Sequence, residues 1–384
     1  MTSRPGAATF GAAGFLALQG ADAMLPFAWL ALAVGGAVAL WRDEIDFVRA
    51  PDRLETSLLV FVAVAVVASL AGLDARRSFS LSVPVLAAVP LWMLIARSRT
   101  EARRGAWIVA GLLAAALTQA VLALIAVAAL PDVAMGERIA RAGAAWLVVP
   151  NDLAWIACLV PFALLLPQPR ALVFAGITAL ALAFVVQSIT LAGATGVTAL
   201  AAAWLVKGRG LPSARAVLLG AGTLAGAIAL AALVLPSMQA RLQLWEAAVR
   251  VLIEYPLGAG LHNYVLAYRG ASAIAPEALV DPRRTPWPHS LPLEIGAELG
   301  WAGLAALAFV VITIWAVLRI LQARALNGRF DRIESALVAS LAGFAALAIS
   351  ETSLLRMWTW FVSTTLLGLL ATRIRDSGET WTSR

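Results

Sequence analysis

The two histidines of the chain, His262 and His289, both lie in one polar stretch, residues 237–296, of an otherwise apolar sequence. The same stretch contains five arginines: Arg241, Arg250, Arg269, Arg283 and Arg284. A neutral imidazole can orient a hydroxyl group or accept its proton near neutral pH. Guanidinium groups bind phosphate oxygens in bidentate fashion and do not lose their charge. These residue types predict a site that binds an anionic group and activates a hydroxyl.

His289 is the preferred candidate for the base or hydroxyl-orienting group. It follows Trp287-Pro288 and precedes Glu294 and Glu298 at the start of a predicted helix. The alternative is a histidine at the membrane–water interface with no chemical role. His262 lies in a turn-forming segment, where packing or hydrogen bonding is the favoured role and substrate binding the less favoured one.

Arg241, near the start of the polar stretch, is the strongest candidate for binding a dense negative charge such as a pyrophosphate. The other four arginines of the stretch are candidate substrate-binding residues, as are Arg76 and Arg77 in an earlier connection. The alternative for all of them is contact with lipid headgroups or surface neighbours. That alternative is favoured for three: Arg269, Arg283 and Arg284.

The composition predicts the elements that must position these residues. The 384-residue chain is 61% hydrophobic and only 13% charged, whereas soluble domains carry roughly a quarter charged residues. Continuously apolar runs of about 17–25 residues predict membrane-spanning helices and exclude an alternating barrel pattern. The net charge of +7 is spread over short loops, which indicates topology and anionic lipids and argues against nucleic acid as a partner.

The sequence carries no motif for a metal or a nucleotide. Cys158 is the single cysteine, so there is no disulfide framework and no cysteine metal site. A phosphate-binding glycine loop, a zinc-binding His-Glu-x-x-His helix and a Gly-x-Ser-x-Gly nucleophile motif are all missing. No metal and no cofactor are expected.

The apolar runs predict an all-α integral membrane protein with about twelve transmembrane helices and one large extracytoplasmic loop. The predicted spans are 7–20, 24–41, 56–73, 79–96, 105–130, 153–167, 171–187, 192–206, 216–236, 297–320, 333–350 and 355–372. Residues 1–236 then hold about nine spans, residues 237–296 the loop with the candidate site, and residues 297–384 the last spans and a cytoplasmic tail. With both termini cytoplasmic, inner segments hold about 19 of the 29 basic residues.

The loop is predicted to open with an amphipathic helix from Ser237 to Ile253. Its apolar positions recur at helical spacing: Leu242, Trp245, Val249 and Leu252. A proline and paired glycines in 255–260 end this helix, and five prolines make the following segment irregular. From Leu293 a helical pattern begins again and runs into the tenth span.

Three motifs follow one another along the chain: Val149-Pro150-Asn151-Asp152-Leu153-Ala154; Arg241-x-x-x-Trp245 with Pro256-x-Gly258-x-Gly260; and His289-Ser290-x-x-Leu293 with Gly300. They resemble the Asn-Pro-Asn-x-x-Ala, Arg-x-x-x-Trp … Pro-x-Gly-x-Gly and His-Asn/Ser segments of the O-antigen ligase and polymerase superfamily. Together with the spans and the large loop, the resemblance covers most of the chain.

Members of that superfamily are metal-independent glycosyltransferases of the bacterial inner membrane. They move a glycan from undecaprenyl pyrophosphate to an acceptor sugar on the periplasmic side. The resemblance implies that His289 is the base or hydroxyl-orienting residue, that Arg241 is the catalytic cation for the pyrophosphate, and that Trp245 belongs to the substrate site. The implied partners are a polyprenyl-pyrophosphate-linked glycan donor, a lipid A-core or glycan acceptor, and membrane lipids.

The chain departs from the family pattern at one position. The family commonly has a Ser-Arg-Gly motif where this chain has Leu191-Ala192-Gly193-Ala194-Thr195-Gly196, which contains no arginine. Another outer arginine, either Arg138, Arg141 or Arg76, is expected to substitute, or the donor is held differently.

Three functions remain open from the sequence. The first is an O-antigen ligase, and the second is a polysaccharide polymerase that uses the same donor class with another acceptor. The third is a non-catalytic transporter or flippase of anionic glycolipids, in which the loop acts as a gate. Charges deep in the spans are scarce, which favours the two enzymes over an ion-coupled transporter.

Overall fold

The computed structural model describes residues 6–99, 104–143, 153–163, 173–174, 176–178, 236–270, 287–327, 331–350, 353–354 and 356–376. Within these residues the fold is helical and contains no β-strand, apart from an isolated antiparallel bridge between Ile45 and Ser98. Three predicted spans, 171–187, 192–206 and 216–236, fall almost wholly outside the described residues.

Numbered along the described chain, the helices are α1 (Ala7–Leu18), α2 (Leu25–Trp41), α3 (Arg53–Ala71), α4 (Ala75–Ser80), α5 (Val83–Ala96), α6 (Arg104–Ala129), α7 (Met135–Ala140), α8 (Ala154–Ala163), α9 (Pro236–Glu254), α10 (Tyr264–Gly270), α11 (Leu291–Leu326), α12 (Arg332–Ser350) and α13 (Met357–Asp376). Five described segments are long and apolar enough to cross a membrane: Asp22–Trp41, Arg53–Ala71, Gly105–Ala129, Leu291–Arg324 and Arg332–Ile349. The all-α membrane class is therefore confirmed in its coarse form.

The fourth predicted span, 79–96, is interrupted in the structure. Helix α4 ends at Ser80, and α5 begins at Val83 with a proline in its first turn. Pro84 has no amide hydrogen with which to continue the helical hydrogen bonds of α4, but it fits the first turn of a new helix, so α4 does not run on into α5. The short helix α4 consequently becomes a separate polar cap on the bundle.

The helices pack in an order that differs from their order along the chain. Helix α1 packs against α2 and α6, α3 against α11, α5 against α13, and α8 against α12. The largest core is formed mainly by alanine and leucine side chains with a few aromatic ones, and the rings of Phe15 and Phe361 meet there edge to face at 5.1 Å. Such pairs add stabilisation beyond the apolar area that they bury.

The loop helix predicted over Ser237–Ile253 is present as α9. Ala247, Ala248 and Val251 face the core formed with α10 and the start of α11. Of the apolar positions at helical spacing, Leu252 is buried, whereas Leu242 and Val249 are 41% and 43% exposed.

Helix α11 is broken at Gly300, where φ is 67° and ψ is −162°. The segment 255–260 fills the break: Trp301 N donates to Pro256 O at 3.0 Å, and Gly260 N donates to Glu298 O at 2.8 Å. The backbone amides and carbonyls that lose their helical hydrogen bonds at the break therefore find partners in residues 255–260. Buried backbone groups need such partners.

Charged side chains gather in two regions. The first, termed the ion-pair end, contains Arg97 with Glu55, Arg99 with Asp43, Arg324 with Glu334 and Arg373 with Asp331. The second, termed the histidine end, is formed by residues 73–82, 255–264, 287–301, 353–354 and 356. Within each region, the segments in contact are ones that the predicted topology assigns to the same membrane face.

Candidate functional site

His289 occupies a tightly determined place at the histidine end. Its backbone is left-handed, with φ at 52°, and it lies between the buried residues Pro288 and Ser290. Its ring is 4.6 Å from that of Trp287, and the Arg356 guanidinium carbon lies 4.8 Å from the Trp287 ring centroid. A left-handed histidine is uncommon and is retained when its surroundings determine it. The structure thus gives a half-buried imidazole a fixed position beside Trp287, whose ring also contacts the Arg356 cation.

A hydrogen bond joins α9 to the His289 segment. Trp245 Nε1 donates to Pro288 O at 2.7 Å, which fixes the helix against the residue immediately before His289. Arg241 precedes Trp245 by four residues and therefore lies on the same helix face, one turn away. The structure thus brings Trp245 against the segment that carries His289, and Arg241 lies one helical turn before Trp245 on α9.

His262 is buried, with 2% of its surface exposed, and its backbone is also left-handed. Neither ring nitrogen has a hydrogen-bond partner of good geometry among the described residues. Burial, together with the positive charge of Arg77, lowers the pKa of His262 to about 4, while the nearby Leu81 backbone acts in the opposite direction. A neutral, enclosed imidazole fits the packing role favoured for His262.

Two buried glutamates hold the loops around this region. Glu298 accepts hydrogen bonds from the backbone amides of His262 at 2.8 Å and Tyr264 at 3.1 Å. Glu294, one turn earlier, accepts from Ser353 Oγ at 2.8 Å and from the Leu354 amide at 3.1 Å. The sequence placed both glutamates beside His289 but gave them no role, since their partners lie far away along the chain.

Arg77 and the α4 cap complete the enclosure of His262. Arg77 Nε donates to the His262 carbonyl at 3.0 Å, and Asn263 Nδ2 donates to the Asp74 carbonyl at 3.0 Å and to Ser78 Oγ at 3.2 Å. Arg77 therefore supports the turn that carries His262. Its neighbour Arg76 is exposed.

The remaining predicted arginines are not all part of this arrangement. Arg250 is exposed and pairs with Glu246 on its own helix. Arg269 lies in α10, but its side chain is outside the described part of the chain, as are Arg283 and Arg284. The stretch 191–196, where the family pattern has its arginine, is also outside it.

Arg356 is the site residue that the sequence reasoning missed. Among the arginines proposed as substitutes, Arg138 donates to backbone carbonyls of its own connection, and Arg141 pairs with Glu137. Arg356 instead lies over the ring of Trp287, which in turn contacts the ring of His289. A signal was present, because Arg356 is the second residue of the predicted span 355–372, at the end that the predicted topology places outside.

No grouping of three or more histidine, cysteine, aspartate or glutamate side chains suited to a metal ion occurs among the described residues. No protein-family model matches the chain, and a search of curated proteins finds no match.

Proposed function

We propose that this chain is a glycosyltransferase of the bacterial inner membrane, of the O-antigen ligase type. It moves a glycan from a polyprenyl-pyrophosphate carrier to an acceptor sugar at the histidine end, which faces the periplasm. The observation that carries the proposal is the hydrogen bond between Trp245 and Pro288. Through it, the arginine-bearing helix α9 lies against the segment that holds His289.

The proposed reaction is a direct displacement. The acceptor hydroxyl attacks the anomeric carbon, the bond between that carbon and the pyrophosphate oxygen breaks, and the electron pair leaves with the pyrophosphate. Arg241 and Arg356 bind the charge that develops there, so a separate acid is not obligatory. His289 accepts the hydroxyl proton and releases it to water. The displacement inverts the anomeric centre, and no metal takes part in the proposed reaction.

The proposed topology has about twelve spans and cytoplasmic termini. It is supported by the contacts between the described connections that form the histidine end. A ligase acts on lipid A-core, whereas a polymerase acts on a second polyprenyl-linked repeat. Both use the same displacement, and they differ in the acceptor alone.

The test is a transfer assay with the purified chain in nanodiscs, a labelled polyprenyl-pyrophosphate oligosaccharide, lipid A-core and EDTA. We expect transfer by the wild type and a loss of roughly 100-fold or more in His289→Ala and in Arg241→Ala. The matched control is Arg99→Ala, which removes an exposed arginine from the ion-pair end. It should keep wild-type activity.

Normal transfer by both His289→Ala and Arg241→Ala would contradict the proposed mechanism. Transfer to a second polyprenyl-linked repeat, with none to lipid A-core, would identify the polymerase. Movement of the intact glycolipid between leaflets without any new glycosidic bond would instead identify a transporter.

A further inference from the structure

The surface of α9 is divided into three stripes. One is the core face of Ala247, Ala248 and Val251, described above. The second is apolar but exposed: Leu242, Val249 and Ile253 are 41%, 43% and 70% exposed. Spacings of seven and four residues, at 3.6 residues per turn, place these three within a sector of about 40°.

The third stripe is polar and lies next to the apolar one. It consists of Gln239, Gln243, Glu246 and Arg250, all of them exposed, with an ion pair between the last two. One part of the exposed surface of α9 is therefore hydrophilic, and the part beside it is hydrophobic. This side-by-side order is typical of a helix lying in the plane of a membrane surface.

The apolar stripe continues onto a membrane-spanning helix. Beyond the end of α9, Leu257 is 76% exposed, and Trp301 on α11 is 60% exposed. These positions are adjacent, because the Trp301 amide donates to the Pro256 carbonyl at 3.0 Å. Further along α11, within the candidate span Leu291–Arg324, Val311 and Ile312 are 55% and 65% exposed. Tryptophan is enriched where a span enters the headgroup layer.

We propose that α9 lies along the membrane–water interface, with Leu242, Val249 and Ile253 in contact with lipid acyl chains and the polar stripe among headgroups and water. The occupant of the apolar stripe is the lipid surface itself, since the stripe is continuous with the exposed face of a spanning helix. This placement sets the break at Gly300 near the headgroup level. It does not depend on the proposed reaction.

The test is a spin-label scan of the full chain in vesicles of phosphatidylethanolamine and phosphatidylglycerol. Single cysteines replace Leu242, Val249 or Ile253, with Gln239→Cys and Gln243→Cys as matched controls on the polar stripe. The native Cys158 is fully buried, so it can be kept unlabelled or replaced by serine. If the Cys158→Ser protein does not fold, the same cysteine variants are made with Cys158 retained.

We expect labels at the three apolar positions to collide more often with oxygen than with the water-soluble reagent NiEDDA, and the two controls to show the reverse. Equal NiEDDA access at all five positions would overturn the proposal. Protection of the apolar positions from both reagents would overturn it too, because a second copy or another protein would then cover the stripe.

Discussion

The two histidines share a backbone conformation but not an environment. They are two of the three non-glycine residues with positive φ in the described chain, the third being Asp43. The His289 ring is half-buried and contacts the Trp287 ring at a tilt of 42°, whereas His262 is buried and its carbonyl accepts a hydrogen bond from Arg77. A left-handed conformation disfavours most side chains and tolerates histidine and asparagine best. Asparagine is therefore the informative replacement at both positions, because it removes the imidazole and keeps the turn.

Acid should destabilise the fold through His262. Its pKa is about 4 in the folded chain against an ordinary value of 6.5, so between these values the unfolded chain binds more protons. The free energy of unfolding therefore keeps its full value above pH 6.5 and decreases, by about 3 kcal/mol at most, as the pH falls toward 4. The variant His262→Asn should show a flatter dependence of the melting temperature on pH in detergent.

The comparison of the two proteins at pH 7.5 is the control, since neither the folded nor the unfolded state of the wild type binds the proton there. An equally steep loss of stability in His262→Asn and in the wild type would refute the assignment.

The sequence could predict residues that act through local spacing, and it missed those that act through long-range contacts. Arg241 and Trp245 are one helical turn apart, so their shared face follows from periodicity alone. The partner of Arg77 lies 185 residues away, and Glu294 reaches a turn 60 residues away. No periodic pattern encodes such contacts, so the partners of Arg356 and of the two glutamates are known only from the fold.

At the level of elements, the pattern predicted the bounds of α9 closely, since the predicted start and end each differ from the observed ones by one residue. The pattern did not indicate which positions contact protein: Ala247 and Ala248 are buried in the core shared with α11, while Leu242 and Val249 are exposed. Periodicity detects an apolar face but does not distinguish a protein neighbour from acyl chains.

The break in α11 should be intolerant of any side chain. Gly300 has a backbone conformation that is essentially restricted to glycine, and a Cβ there would lie 2.3 Å from the Pro256 carbonyl oxygen. Gly300→Ala should lower stability by roughly 1–3 kcal/mol from strain alone, with more from the clash. Thermal unfolding in detergent measures the change.

The matched control for this change is Gly36→Ala within α2. A Cβ at Gly36 meets nothing within 4 Å, so alanine should be neutral or stabilising by up to about 1 kcal/mol. If Gly300→Ala were as stable as Gly36→Ala, the break would not be a requirement of this fold.

For the whole molecule, the class of fold was accessible from composition, and the packing partners were not. Helices that are apolar on all sides show no preferred face in the sequence, and lipid is as apolar as their side chains. The pairing of α3 with α11 and of α5 with α13 therefore could not be predicted. The grouping of the described connections into two ends could be predicted, because loop charge and span number together assign each connection to a membrane face.

The central claim is that the histidine end forms a glycosidic bond and releases the carrier. The most direct measurement follows two products together in one nanodisc preparation: free polyprenyl pyrophosphate and the glycosylated acceptor. We expect the wild type to form them in a one-to-one ratio, with an inverted anomeric centre. We expect His289→Asn to form neither product, although it still binds the donor. Equal yields from the wild type and His289→Asn, or release of the carrier without a glycosylated acceptor, would show that the histidine end does not carry out this transfer.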